Sequence, residues 1–191
     1  MTILDLIMIC ARILNIEQIL NDANLPNLED SKEAEVLKKN PALARMFELA
    51  KVVINEICMY SPITSQVKKA SKDKKILITQ LSSFEKIISI KNEQGNNVKY
   101  QTIDYNIYFE EDGTYTILYQ RYPTTSSILF PVENFHGNVS NDTLIAGLNS
   151  YYCLATGMYA EYNVYNAQYV DRLSRIKNLK VFAMPCRRWH D

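Results

Sequence analysis

The spacing of apolar residues changes twice along this chain, and that change limits what it can fold into. From Leu4 to Leu14, and again from Leu43 to Ile57, apolar residues recur at helical spacing, which predicts amphipathic helices. Between Thr114 and Tyr122 apolar and polar residues alternate, which predicts a half-buried strand. Helical spacing returns after residue 141. This order predicts an α+β fold: a helical bundle with a long C-terminal helix and an inserted small antiparallel β-sheet.

Cap and turn residues give the predicted helices their ends. Thr2 begins a capping-box pattern at the start of the first helix. Asn40 before Pro41 predicts the start of a long packing helix, because asparagine caps helices and proline fits their first turn. Asn141 is expected to cap a last helix that runs unbroken from Asp142 to Ile176. The glycines inside that last helix indicate that another helix packs closely against it.

The predicted sheet lies between the two helical parts. Short connections such as Asp112–Gly113 predict an antiparallel meander. The strands are expected at residues 76–81, 84–90, 98–103, 106–109 and 114–122. The predicted domains are a helical body of residues 1–62 and 140–177, a β domain of residues 63–139, and an extended C-terminal arm of residues 178–191.

Charge narrows the function classes without deciding between them. Lys+Arg and Asp+Glu are equal at 21 each, which argues against a general nucleic-acid binder but does not exclude a local basic patch. A neutral chain also does not repel its own copies. One lysine run precedes the first predicted strand: Lys68, Lys69, Lys72, Lys74 and Lys75. It is either a solvated loop between the halves or a contact for DNA phosphates, and the sequence leaves both open.

The residues that usually carry chemistry are few and scattered. The four cysteines form no CxxC pair and are expected to be reduced thiols: Cys10, Cys58, Cys153 and Cys186. His136 and His190 lie in no catalytic pattern, and Cys186 with His190 lacks the second ligand pair of a structural zinc site. We therefore expect no cofactor, no metal and no enzyme activity.

Membrane insertion is not expected either. No stretch approaches the roughly 18 apolar residues of a membrane span. Met1–Leu14 is apolar, but Asp5 and Arg12 interrupt it and no small-residue cleavage site follows, so a signal peptide is not expected.

Tyrosine is the unusual component of this chain. Of its 13 tyrosines, six lie on the last predicted helix and do not fit on one face. Tyr151 and Tyr165 are predicted to point away from the buried seam. Since tyrosine is enriched at protein interfaces, we predict a subunit interface. Its residues are Tyr151, Tyr159, Tyr162, Tyr165 and Tyr169. An aromatic-rich core is the alternative.

The C-terminal segment has the composition of a docking arm. It is strongly apolar for a chain end, and Pro185 prevents a regular helix through its middle. Its predicted anchors are Phe182, Met184, Arg187, Arg188 and Trp189. Tryptophan and arginine are common interface hot spots, so we predict that the segment binds a groove on a partner. The alternative is that it covers its own subunit.

Four stretches, which cover most of the chain, carry a resemblance to a known family: TILDLIMICARILNI, ALARMFELAKVVINEICMY, ILITQLSSFEKIISIKNEQGNNVKYQTIDYNIYFEEDGTYTILYQRYP and DTLIAGLNSYYCLATGMYAEYNVYNAQYVDRLSRI. In these stretches and in its order of elements, the chain resembles the head–tail adaptor proteins of tailed bacteriophages, in particular the tail tubular protein A type. That family often has tryptophan at the end of the packing helix, where this chain has Met59–Tyr60.

The resemblance implies a structural protein of the virion neck, assembled in the host cytoplasm. It implies a ring of copies, commonly a dodecamer, bound beneath the portal protein by its C-terminal arm, with DNA passing through non-specifically. The β domain would then face the downstream tail or nozzle protein through its exposed turns, at Gly95, Asn96, Asp112 and Gly113. The alternatives are another virion completion or head-closure protein, and a small cytosolic enzyme or ligand-binding module.

Overall fold

The computed structural model describes residues 1–22, 25, 28–132, 135 and 139–181, the last five by their backbone alone. These residues form two compact units. The first contains Met1–Ser61 and the described residues from Thr125 onward, and the second is Pro62–Thr124. The first unit is helical and the second is built of antiparallel strands, so the predicted α+β class is confirmed.

The helices of the first unit are α1 (Ile3–Ile13), α2 (Glu17–Leu20), α3 (Glu33–Lys39), α4 (Pro41–Tyr60), α5 (Asn141–Thr156) and α6 (Tyr159–Val181). The strands of the second unit are β1 (Ile63–Ala70), β2 (Lys75–Leu77), β3 (Phe84–Lys91), β4 (Tyr100–Ile103), β5 (Asn106–Phe109) and β6 (Thr114–Arg121). A search of the described helices finds none with the length and apolar character needed to cross a membrane.

Two of the predicted helix caps are confirmed. The Asp5 backbone N–H donates to Thr2 Oγ1 at 3.0 Å, and the Thr2 N–H donates to Asp5 Oδ2 at 2.8 Å, which completes the capping box. At the start of α4, Asn40 Oδ1 accepts from the Leu43 N–H at 3.0 Å. The Asn40 side chain also donates to the Gln18 carbonyl at 2.8 Å, so the cap of α4 is joined to α2.

A segment after β6 returns to the helical unit and pairs with the start of the chain. The Ile3 and Leu4 N–H groups donate to the carbonyls of Phe130 and Ile128 at 2.9 and 2.8 Å. These two amides have no partner within their own helix, so the segment satisfies them. Ile128 in turn donates to the Glu33 carboxylate at 2.9 Å. The prediction that placed this segment in the β domain is therefore wrong.

The core of the helical unit follows the predicted apolar stripes. Every position predicted to be buried on α4 is buried: Leu43, Met46, Phe47, Ala50, Val53, Ile54 and Ile57. They pack with the buried faces of α1 and α5 in one continuous cluster. Helical spacing was sufficient to identify these positions because each helix has one apolar face.

The last helix is two helices, which corrects the prediction of one continuous helix over residues 142–176. Gly157 lies at φ 76° and ends α5 in the left-handed conformation that glycine adopts without strain. The Met158 N–H donates to the Cys153 carbonyl at 2.8 Å, which closes the turn. α6 then packs along α5 as a helical hairpin. Because α6 continues to Val181, the first residues of the predicted arm are helical.

The β unit contains two three-stranded antiparallel sheets where one was predicted. Their strand orders are β1-β6-β3 and β2-β5-β4. Strand β1 was not predicted, because five of its eight residues are polar, and they include Lys68 and Lys69 of the lysine run that was placed before the first predicted strand. The strand predicted to reach Leu81 ends at Leu77, and a short 3-10 turn follows. The alternation of β6 is confirmed, with Tyr115, Ile117 and Tyr119 buried.

Both sheets contribute to one small core in this unit. The buried side chains of β6 meet Ile107 and Phe109 of β5. The Phe109 and Tyr115 rings stack with centroids 3.9 Å apart. The buried aromatic rings thus join the two sheets, and each sheet keeps an outer face.

Gly147→Ala tests how tightly α5 and α6 pack. A Cβ at Gly147 would lie 2.7 Å from the Tyr169 ring and 2.8 Å from Val53 Cγ1. Alanine favours helix, but overpacking a buried contact costs more, so we expect the free energy of unfolding to fall by about 1–3 kcal/mol. Denaturant titration measures it. Gly113→Ala is the control, since its nearest contact would be an ordinary 3.7 Å to Tyr115. An equal loss in both variants contradicts the packing argument.

Candidate assembly surfaces

Two of the five tyrosines predicted to form an interface are parts of the protein's own interior. Tyr169 is 3% exposed and belongs to the core of the helical unit. Tyr151 is half-buried and packs against the same core, so the prediction that it points outward is wrong. The reason is the turn at Gly157, which brings α6 back over the face of α5 that a single helix would have left open.

The hydroxyls of these two tyrosines share one acceptor. Tyr151 Oη donates to Glu56 Oε2 at 3.0 Å, and Tyr169 Oη donates to the same oxygen at 2.9 Å. Their rings meet edge to face with centroids 6.4 Å apart. Glu56 lies on α4, so one carboxylate connects α4 with both helices of the hairpin. Sequence reasoning missed Glu56, whose only signal is a charged residue next to the apolar stripe of α4.

The environment keeps both tyrosines protonated. Burial, followed by the hydrogen bond to Glu56, raises the pKa of Tyr151 to about 12. The same causes raise the pKa of Tyr169 still further. Both hydroxyls therefore remain hydrogen-bond donors at neutral pH, and the Glu56 carboxylate keeps two charge-assisted hydrogen bonds.

The other three predicted interface tyrosines differ in exposure. Tyr162 and Tyr165 are half-buried on α6. Tyr159, at the start of α6, is 67% exposed. Tyr159 thus remains the most accessible of the five for contact with a second molecule.

One face of α6 is exposed and consists mainly of small and apolar residues, with the ion pair of Asp171 and Arg175 beside its C-terminal part. We call it the α6 outer face, and it consists of Tyr159, Ala160, Asn163, Val164, Ala167, Val170 and Ser174, all of them exposed. Val164 and Val170 are 56% and 54% exposed. The residues of the α6 outer face recur mainly at intervals of three and four residues, which places them along one side of the helix, away from buried Tyr169 and Ile176. This face was not predicted from the sequence, because small residues give a weak periodic signal.

The predicted contact residues of the β unit lie in exposed turns. Gly95 and Asn96 are exposed between β3 and β4, and Asp112 and Gly113 are exposed between β5 and β6. Asp112 already has an internal role: its Oδ1 accepts from the Lys74 backbone N–H at 2.7 Å and from the Ser71 hydroxyl at 2.9 Å. These hydrogen bonds, the one from Lys74 first, lower the pKa of Asp112. Asp112 therefore fixes the β1–β2 turn against the β5–β6 turn.

The anchors of the predicted docking arm lie outside the described residues: Phe182, Met184, Arg187, Arg188 and Trp189. The same holds for Cys186 and for both histidines, His136 and His190.

The cysteines that the structure describes are buried thiols: Cys10, Cys58 and Cys153. Burial raises the pKa of Cys10 to about 12, so its thiolate is scarce at neutral pH. Across the described ranges, no three His, Cys, Asp or Glu side chains come together in a way that could hold a metal ion.

Comparison with known proteins adds no family assignment. The chain matches no protein-family model and no curated protein. The resemblance to phage adaptors therefore stays a prediction from the sequence.

Removing the tyrosine hydroxyls tests the connection through Glu56. Tyr169→Phe should lower the free energy of unfolding at neutral pH by about 1–3 kcal/mol, since it removes a partly buried hydrogen bond from a buried ring to a carboxylate. Tyr151→Phe should cost less, because that residue is only half-buried. Tyr159→Phe, at an exposed position, is the control and should change little. Equal stability of Tyr169→Phe and the control would contradict the proposed connection.

The pH dependence of unfolding tests the same connection independently. An unfolded tyrosine releases its proton near pH 10, whereas folded Tyr151 holds it to about 12. The folded state thus binds more protons above pH 10, so this stabilisation is complete below that pH and is lost as the pH rises towards 12. Tyr151→Phe should make the fall in stability over this range less steep, by up to about 1.4 kcal/mol per pH unit. If the slope of unfolding free energy against pH is unchanged in Tyr151→Phe, the pKa of Tyr151 is not raised in the folded protein.

Proposed function

We propose that the chain is a structural protein of the bacteriophage neck, a head–tail connector that assembles as a ring between the portal and the tail. The observation that carries the proposal is the α6 outer face, an exposed helix face formed mainly by small and apolar residues. The resemblance of the sequence to head–tail adaptors supports the same function. DNA passes through the ring without sequence recognition, and the proposed location is the neck of the virion.

The α6 outer face is suited to contact between copies. Val164 and Val170 are each more than half exposed, and covering them removes apolar surface from water. Ala160 and Ala167 are small, so they let the backbone of another helix come close. Tyr159 supplies a ring and a hydroxyl at one end of the face. A ring interface made by α6 thus replaces the predicted interface that included Tyr151 and Tyr169.

The two units divide the proposed work. The helical unit forms the ring body, because the α6 outer face that contacts the next copy belongs to it. The β unit begins at Pro62 and ends at Thr124, so it is an insertion between α4 and the return segment. Its exposed turns at Gly95 and Gly113 are the proposed contacts with the downstream tail or nozzle protein.

Charge placed on the α6 outer face should prevent assembly. In the double variant Val164→Glu/Val170→Glu, each buried carboxylate should weaken the contact by about 1–2 kcal/mol or more, roughly 10-fold each. Analytical ultracentrifugation over a range of concentrations, with and without the portal protein of the same genome, measures the assembled fraction. Val52→Glu is the control, because Val52 is 47% exposed on α4.

Two results would contradict this assignment. If the wild-type chain stays a monomer alone and with the portal, the connector proposal is wrong. If Val52→Glu weakens assembly as much as the α6 double variant, the interface lies elsewhere.

Deleting the C-terminal residues tests the docking arm. A chain that ends after Val181 keeps all of α6 and loses the predicted anchors, including Trp189. We expect it to unfold at the same denaturant concentration as the full chain but to bind the portal at least 10-fold more weakly, since arginine and tryptophan anchors carry much of the binding energy of such segments. If the shortened chain binds the portal as strongly as the full chain, the segment is not a docking arm. If the shortened chain is less stable, the segment covers its own subunit.

A further inference from the structure

The sheet β1-β6-β3 has an outer face that is rich in lysine. Strand β6 buries Tyr115, Ile117 and Tyr119, so its alternate residues lie on the opposite face. The strand register then identifies their neighbours. Thr116 lies between Lys68 of β1 and Lys91 of β3, which places these three side chains in one row across the sheet.

A second row lies further along the same face. Gln120 is opposite Thr64 of β1 and Lys86 of β3. Between the two rows, the β6 position is Leu118, which is half-buried. We call the six residues of the two rows the lysine face: Lys68, Thr116, Lys91, Thr64, Gln120 and Lys86.

Among the described residues, no ion pair neutralises the positive charge of this face. Lys68, Lys86 and Lys91 are exposed, and in the part of the chain that the structure describes none of them forms an ion pair. The three strands carry one acidic residue, Glu85, at the bulge beside Lys86. The whole chain has no net charge, so this local excess arises from the register of the strands.

We infer that the lysine face binds the phosphate backbone of double-stranded DNA without reading its sequence. Neighbouring strands are about 4.8 Å apart, so Lys68 and Lys91 are roughly 10 Å apart, and four residues of β6 separate the rows by roughly 13 Å. A duplex carries a phosphate charge about every 1.7 Å along its axis, so a patch of this size meets several phosphates.

The neutral residues of the face fit the same ligand. Thr64, Thr116 and Gln120 offer hydroxyl and amide donors beside the lysines, and such groups commonly contact phosphate oxygens. The six residues include no aromatic ring on which an unpaired base would stack. The chemistry therefore favours the backbone of a duplex over single strands. This inference goes beyond the proposed ring, because binding to DNA is a property of each chain.

The test measures binding of the full chain to a fluorescein-labelled DNA duplex of about 30 base pairs by anisotropy. The face variant is Lys68→Gln/Lys86→Gln/Lys91→Gln. The control variant, Lys72→Gln/Lys74→Gln/Lys75→Gln, removes the same charge from exposed lysines in and beside the β1–β2 turn. A third variant with arginine at positions 68, 86 and 91 keeps the charge.

We expect the wild-type chain to bind with a dissociation constant of about 1–100 µM at physiological salt, as non-specific binders do. The face variant should bind at least 10-fold more weakly, and its salt dependence should be less steep by up to about 2.7 in log–log slope for three lost phosphate contacts. The control and the arginine variant should bind within about threefold of wild type.

Several outcomes would overturn the inference. The first is that the wild-type chain shows no binding at about 100 µM. The others are that the face and control variants lose equal affinity for DNA, or that the arginine variant loses affinity although it keeps the charge. Displacement of DNA by polyglutamate as effectively as by unlabelled duplex would assign the face to an acidic protein. Sedimentation of the same samples shows whether the chains assemble, so a failure of the ring proposal is seen separately from a failure of DNA binding.

Discussion

The carboxylate of Glu56 accepts hydrogen bonds from Tyr151 and Tyr169, which lie on the two helices that Gly157 separates. A buried or half-buried carboxylate is costly unless its oxygens have donors, and these hydroxyls supply them. Because both donors reach one oxygen, α5 and α6 can satisfy it together only when the hairpin is closed against α4. The arrangement of the helical unit, and the choice of which α6 face stays exposed, follow from this constraint.

The position of the tyrosines shows why a count of residue types did not identify the assembly surface. Tyrosine is suited to interfaces because it combines a large ring with a hydroxyl, and the same combination suits a core that contains a polar group. Tyr169 serves the second purpose, and Tyr159 is free of the core. The proposed surface is carried instead by Val164, Val170 and the alanines beside them, whose significance depends on their exposure.

In the sheet β1-β6-β3, the inward face is apolar and aromatic, and the outward face is mainly polar and basic. The inward residues of β6 join the two sheets through aromatic contacts, while the outward residues that form the two rows of the lysine face are threonine, glutamine and lysine. Alternation along one strand produces this separation, but the register with β1 and β3 brings Lys68 and Lys91 into one row. Neither lysine is close to the other in sequence. A charge patch on a protein without net charge is thus a product of strand pairing.

Local signals in the sequence determined the elements whose ends and faces depend on neighbouring residues alone. The capping box at Thr2, the Asn40–Pro41 start of α4, the buried stripe of α4 and the alternation of β6 were all predictable, because backbone hydrogen bonding and apolar spacing are short-range. Tertiary structure decided the break at Gly157, the partner strand β1, the return of Ile128 to α1, and Glu56 as the acceptor of two distant hydroxyls. These depend on pairings between residues far apart in the chain, which become favourable only once the rest of the core has formed.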